Sequence, residues 1–215
     1  MKKLLIIASF ILMSCFTASA QIYVGVDLGY GLYTATNTKL SQYAVENEWK
    51  PSNMNVTLNF GRSYSLLRTE LATMLTLAAE ADDDSGNTIE YSNYNVMINL
   101  YLDIPVSETV KIYPVLGIGL ASSKANFTVS PKANEITGKS SLTFAWQAGL
   151  GASYQLNEQH SLDFTVRYLD LGEPDYETHY HGWAPEGNTI IVEGKDFIQV
   201  ETSAIKLDLG YKYWF

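Results

Sequence analysis

The feature that most constrains this chain is a strict two-residue alternation, repeated along its length, between a greasy face and a face of glycine, amide and charge. In the first such segment Ile22, Val24, Val26, Leu28, Tyr30 and Leu32 alternate with Tyr23, Gly25, Asp27, Gly29, Gly31 and Tyr33. Side chains of an extended strand point to opposite faces in turn, so this period predicts strands with two chemically different sides. The pattern recurs at Met54–Gly61, Leu67–Leu77, Asn93–Asp103, Ile112–Leu120, Leu142–Leu156, Leu162–Tyr168 and Ala204–Phe215, which makes eight strands.

The links between these segments alternate in length. Arg62–Leu66, Ile104–Val110 and Leu156–His160 are short, whereas Thr34–Asn53, Ala78–Ser92, Ala121–Ser141 and Gly172–Phe197 are long. An up-and-down barrel in an outer membrane shows this alternation, with short turns on the periplasmic side and long loops outside.

The N-terminus is consistent with export. Lys2 and Lys3 precede an apolar run of 13 residues, Leu4–Phe16, and then Ala18-Ser19-Ala20, which reads as a cleaved secretory signal peptide over residues 1–20. A spanning helix needs about 20 apolar residues, and no later stretch approaches that. A competing reading takes Leu12-Met13-Ser14 before Cys15 as a lipidation box; Ala18-Ser19-Ala20 is the better site, and a strand pattern starts directly after it.

Cleavage leaves one domain over residues 21–215 and removes the sole cysteine, so disulfides and thiolate-held metals are excluded. The remaining 12 basic and 23 acidic residues argue against nucleic acid, which needs clustered Lys and Arg.

Which face points inward decides between a soluble barrel and a membrane one. A lipocalin-like barrel hides its apolar face and wets its polar one. Here the polar face holds Asp27, Arg68, Glu70, Asp103, Asp163, Arg167, Lys206, Asp208 and Lys212, four positive against five negative. Near-balance suits a narrow lumen in which charges pair, because an unpaired buried charge is costly. The expected fold is therefore all-β: an eight-stranded antiparallel up-and-down transmembrane β-barrel in the bacterial outer membrane. The last strand closes it, with Tyr211, Tyr213 and Phe215 in the periplasmic aromatic girdle.

The stretch Phe144–Gly172 carries a glycine-alternating strand, a short turn and an Arg-Tyr-x-Asp-x-Gly ending at Arg167, Tyr168, Asp170 and Gly172. With Leu66–Leu71, Asn95–Pro105 and Ile112–Ala121, it resembles the outer-membrane β-barrel family of opacity-type barrels, Rickettsiales surface antigens and small porin-family proteins. That resemblance implies that Arg68, Glu70 and Arg167 meet in the lumen as a structural ion network. It also implies that the terminal aromatics, Tyr211, Tyr213 and Phe215, form the signal read by the barrel-assembly machinery.

Candidate chemistry lies in the long links. In Asp175–Trp183, an extended backbone would put Asp175, Glu177, His179 and His181 on one face, a donor set suited to zinc or copper. A wet, tyrosine-rich loop is the plainer reading and is preferred, so no metal or other cofactor is expected. Ala81–Asn87 is acidic but lacks the alternate spacing of a calcium-binding EF-hand loop. For hydrolytic chemistry, His160 falls in a short turn, and only loop folding could bring Ser123 or Ser141 to His179 or His181.

The expected function is thus a non-catalytic barrel presenting external loops, as a surface antigen or adhesion module or as an envelope-structural element. A small-solute pore is the alternative, with a loop-borne metal site or a lipid-modifying barrel behind it. Expected partners are outer-membrane lipid and lipopolysaccharide, the assembly machinery and an external surface partner, but no nucleic acid.

Overall fold

A computed structural model describes residues 20–39, 48–82, 88–129, 134–140, 142–173, 175–183 and 189–215. Side chains are described for these residues except 37–39, 48–49, 79–82, 88–89, 125–129, 134–140, 175–183 and 189–200. The region read as a signal peptide therefore lies outside the described residues up to residue 19, and β1 starts at Gln21.

The described strands are β1 (Gln21–Lys39), β2 (Glu48–Trp49), β3 (Ser52–Tyr64), β4 (Leu67–Asp82), β5 (Thr88–Leu102), β6 (Ile104–Pro105), β7 (Val110–Val129), β8 (Asn134–Ser140), β9 (Leu142–Asn157), β10 (His160–Asp170), β11 (Asp175–Trp183) and β12 (Thr189–Trp214). Pairing reduces them to eight wall strands. β7 pairs with β9 through Val110–Ser122 and with β8 through Ala125–Val129, so β8 and β9 are successive parts of one wall strand. β12 likewise pairs with β10 and then with β11, which makes those two a second composite. The composites also face each other, β9 with β10 and β8 with β11.

The sheet closes between its first and last strands, from Tyr23 opposite Trp214 to Lys39 opposite Gln199. The result is a closed eight-stranded antiparallel barrel, as expected, with β2 and β6 as short additions beside β1 and β7. Closure matters because a free strand edge in hydrocarbon would leave backbone N–H and C=O groups without partners.

The long links need correction. Much of the expected Ala121–Ser141 loop is the outer part of β7 and β8, and much of Gly172–Phe197 is β11 and the start of β12. β12 alone has 26 residues, more than twice the about 9–11 needed to cross a bilayer. Alternation shows only where one face meets lipid and the other the lumen. Beyond the membrane both faces tolerate polar residues, so the strands continue while the pattern that marks them stops.

Burial assigns the two faces. Leu28, Leu58 and Ile98 are 59%, 61% and 64% exposed, while their neighbours Asp27, Asn59 and Asn99 are 3%, 4% and 0% exposed. The apolar rows thus cover the outside and the polar rows fill the interior, the arrangement a lipid-embedded barrel requires. Its outer surface carries aromatic pairs near both ends, Trp146 against Tyr168 at 5.5 Å and Tyr213 against Phe215 at 5.0 Å.

Two residues, Ser65 and Leu66, join β3 to β4, with Tyr64 opposite Leu67. Ser65 has φ of 55°, in the left-handed region that side chains other than glycine avoid. Ser65→Gly is expected to raise the barrel's unfolding free energy by up to about 1 kcal/mol, seen as a higher urea midpoint of the refolded protein in lipid. An unchanged or lower midpoint would show that the turn carries no strain.

Candidate functional site in the barrel lumen

The lumen is built in layers, and the layer nearest the short turns is a dense ion cluster. Arg68 and Glu70 both point inward from β4 because they are two residues apart on one strand. Arg68 Nη2 lies 3.1 Å from Asp103 Oδ1, and its Nη1 lies 3.3 Å from Asp163 Oδ2. Its guanidinium also stacks over Tyr101 and Tyr113, at 4.1 and 4.7 Å from the ring centroids. Lys212 Nζ donates to Asp163 Oδ2 and lies 3.8 Å from Glu70 Oε2.

Hydroxyl and amide donors complete these carboxylates. Glu70 accepts from Tyr23 Oη at 2.6 Å, Tyr101 Oη at 2.5 Å and Asn99 Nδ2 at 3.1 Å. Asp163 accepts from Ser153 Oγ at 2.8 Å and Tyr113 Oη at 3.1 Å. Charge-assisted hydrogen bonds of this kind offset the desolvation of a buried carboxylate. Tyr23 can reach Glu70 because Gly61 lies beside it: a Cβ on Gly61 would stand 2.2 Å from the Tyr23 ring.

Above this cluster sits Arg167, carried by β10. Its Nη2 lies 3.8 Å from Asp27 Oδ2 and its Nε 3.4 Å from Asp208 Oδ2, while Lys206 Nζ lies 3.3 Å from Asp208 Oδ1. Of the three residues assigned to an ion network, Arg68 and Glu70 therefore share the lower cluster through Asp163 and Lys212. Arg167 makes its ion pairs one layer higher, with different carboxylates. The sequence places all nine charges on the inner face; which acid meets which base depends on strand stagger, which alternation does not encode.

The layer toward the long connections is one that sequence reading missed. Tyr33, Ala72, Met74, Tyr91, Met97, Leu169 and neighbouring alanines form an apolar cluster inside the barrel. Tyr33 and Tyr91 stack at 5.5 Å, with their hydroxyls 3.0 Å from Thr76 Oγ1 and Ser123 Oγ respectively. Its signal was a local loss of contrast: in Leu71–Leu75 and Val96–Ile98 the inward residues are as apolar as the outward ones.

The other candidates fall elsewhere. β11 gives Asp175, Glu177, His179 and His181 the extended backbone that a shared face requires, but their side chains lie outside those described. Among the described residues no group of three His, Cys, Asp or Glu forms a metal site. Ser123 is buried and bonded to Tyr91 and Asn93 inside the lumen. Ser141 and residues 83–87 of the acidic stretch lie outside the described residues. At the other end, His160 Nδ1 pairs with Tyr211 Oη, and Phe215 N donates to Ile22 O at 2.9 Å, so the last residue is held against β1.

Comparison with known proteins agrees with this architecture. Residues 4–213 match the family described as outer membrane protein β-barrel domain. The chain belongs to the outer-membrane-protein β-barrel family. It is accordingly a protein of the bacterial outer membrane. Outer membrane protein PagN of Salmonella typhimurium is 31% identical over 100 residues, a match spanning 45% of this chain and 41% of PagN.

Two solved structures share the fold at low identity. Neisserial surface protein A aligns with a TM-score of 0.56 at 16% identity, over 92% of this chain and 99% of that one. A major outer membrane protein from Thermus thermophilus aligns with a TM-score of 0.59 at 14% identity, over 92% of this chain and 100% of that one.

Arg68 is 1% exposed and serves two carboxylates, so removing it takes the paired cation from Asp103 and leaves Asp163 with Lys212 alone. Arg68→Met is expected to cost about 3–5 kcal/mol of unfolding free energy in urea titrations of the refolded barrel. Asp163→Asn in the same background should return part of that loss, with a coupling of about 0.5–3 kcal/mol. Strict additivity of the two substitutions would rule out a direct pair.

Proposed function

We propose that this barrel is a non-conducting, non-catalytic membrane scaffold whose working surface is its outer rim, with a surface-antigen or adhesion role. The observation that carries the reading is the double filling of the lumen. Arg68, Tyr101 and Tyr113 are each 1% exposed in the ion layer, and Tyr91, Ala121 and Ala145 are at most 1% exposed in the apolar layer above it. Eight strands enclose a space that side chains can fill, and here two successive layers fill it.

A filled interior leaves the outside to act. The wall strands β7, β8, β11 and β12 continue past the lipid-facing rows as paired strands, and the rim they build is where an external partner would meet the cell. Outer-membrane lipid and lipopolysaccharide surround the apolar belt in this reading, and Tyr211, Tyr213 and Phe215 at the closing strand engage the barrel-assembly machinery. The buried, hydrogen-bonded position of Ser123 and the girdle position of His160 give hydrolytic chemistry no shared site among the described residues.

Planar-bilayer recording of the refolded protein is expected to show no unitary conductance steps. Cutting the wall back to the Ala125–Gly138 and Asp175–Gln199 pairs should leave a folded, heat-modifiable barrel that no longer adheres to epithelial cells or matrix-coated surfaces. Discrete channel openings would replace this reading with a pore. Unchanged adherence or an unchanged envelope phenotype in the shortened variant would move the function from the rim to the wall.

A further inference from the structure

The outer surface carries a cation in its apolar rows at the turn end of β3. Arg62 follows Leu58 and Phe60 on the outward row of that strand and is exposed. It stands opposite Ile22, whose carbonyl accepts from Phe215 N, so it lies level with the girdle at the turn side. Aromatic girdles mark the headgroup level of a bilayer, so the guanidinium faces phosphate rather than hydrocarbon. Among the described residues no carboxylate lies within ion-pair distance of Arg62, and its guanidinium packs instead over the Tyr64 ring, 5.0 Å from the centroid. A guanidinium held by its face keeps its N–H edge free to donate.

A second polar group stands beside it. Thr69 of β4 is the cross-strand partner of Arg62 and is also exposed on the outward face, between Leu67 and Leu71. Its hydroxyl has no hydrogen-bond partner among the described residues. Paired residues of neighbouring strands stand about 4.5–5.5 Å apart at Cβ, so the two donors can meet one anion.

Thr69 is also the foot of a groove of about 480 Å³ in the lipid-facing wall. Ile98 and Leu100 of β5, Leu116 and Ile118 of β7 and Trp146 of β9 line the rest, each at least 39% exposed, over a floor at Gly117. Small-molecule sites run from about 300 to 1,000 Å³. Strand stagger makes the groove climb: Thr69 is two residues from the turn-side end of β4, and Trp146 is eleven from the turn-side end of β9. It therefore leads from headgroup level into the membrane, the course an acyl chain takes. The groove suits hydrocarbon, and the two donors at its foot suit an anion with several acceptor oxygens. A glycerophospholipid joins both in one molecule.

We propose that Arg62 and Thr69 hold the phosphodiester of one glycerophospholipid from the leaflet on the short-turn side, with an acyl chain seated in the groove toward Trp146. The refolded full-length barrel would be placed in detergent micelles containing equal amounts of phosphatidylglycerol and of a galactosyl diacylglycerol with the same acyl chains. Native mass spectrometry would then count the lipid each barrel retains, and the heat-dependent gel shift would report folding.

Wild type is expected to keep one phosphatidylglycerol, preferred about tenfold over the phosphate-free lipid. Arg62→Gln should remove that preference, and Thr69→Val should lower retention about threefold. Leu116→Trp crowds the groove, leaves both donors in place and should lower retention as well. Lys124→Gln removes an exposed cation far along β7 and should leave retention unchanged. Equal retention by wild type and folded Arg62→Gln overturns the proposal, as does full retention by folded Leu116→Trp or an equal loss in Lys124→Gln. If the variants do not fold, the wild-type comparison decides: equal retention of the two lipids overturns it. Lipid A is the other phosphate source, and its displacing phosphatidylglycerol from wild type would also overturn the assignment.

Discussion

Hydrocarbon offers the backbone no hydrogen-bond partner, and every other property of this protein follows from the seam that answers this constraint. Pairing of β1 with β12 leaves no strand edge facing lipid. With eight walls, closure also sets a narrow interior, which side chains must occupy. Lipid outside requires apolar outward rows, and the narrow space inside requires that its polar side chains find partners there.

The interior meets that requirement unevenly. Near the short turns, tyrosine hydroxyls, amides and two cations complete Glu70 and Asp163, and Arg68 is clamped between Asp103, Asp163 and two aromatic rings. Near the long connections, methionine, leucine, alanine and tyrosine form an apolar layer among the described residues, which the Lys206 amine meets at Met74 Sδ. Between them lie Asp27, Asn55, Asn59 and Asp208, where unmet polar atoms concentrate. A dense layer on each side isolates this middle layer from solvent, so electrostatic interactions within it are strong and unmet groups costly.

Much of this was legible in the chain. The outward row Ile22 to Leu32 and the inward row Tyr23 to Tyr33 lie on the faces that alternation predicts, because a pleated strand has no other way to place them. The outer halves of β7 and β12 were not legible, since residues such as Ser122, Ser123 and Lys124 carry no lipid-facing contrast. The apolar luminal layer was hidden for a related reason: Met74, Met97 and Leu169 look like ordinary strand residues until closure brings them together. For the ion pairs, the expectation of one network joining Arg68, Glu70 and Arg167 names the residues but not their contacts: Arg167 lies within ion-pair distance of Asp27 and Asp208, carboxylates that Arg68 does not reach, while still acting on Glu70 electrostatically.

What the sequence alone determined is the strand count, the two faces and the membrane setting, because these depend on side-chain order along single strands and on the solvent each face meets. The tertiary structure alone decided which charges pair, where the lumen turns apolar and which polar atoms stay unmet. Those outcomes depend on the register between strands far apart in the chain, such as Arg68 on β4 against Asp163 on β10, and register is fixed only when the sheet closes on itself.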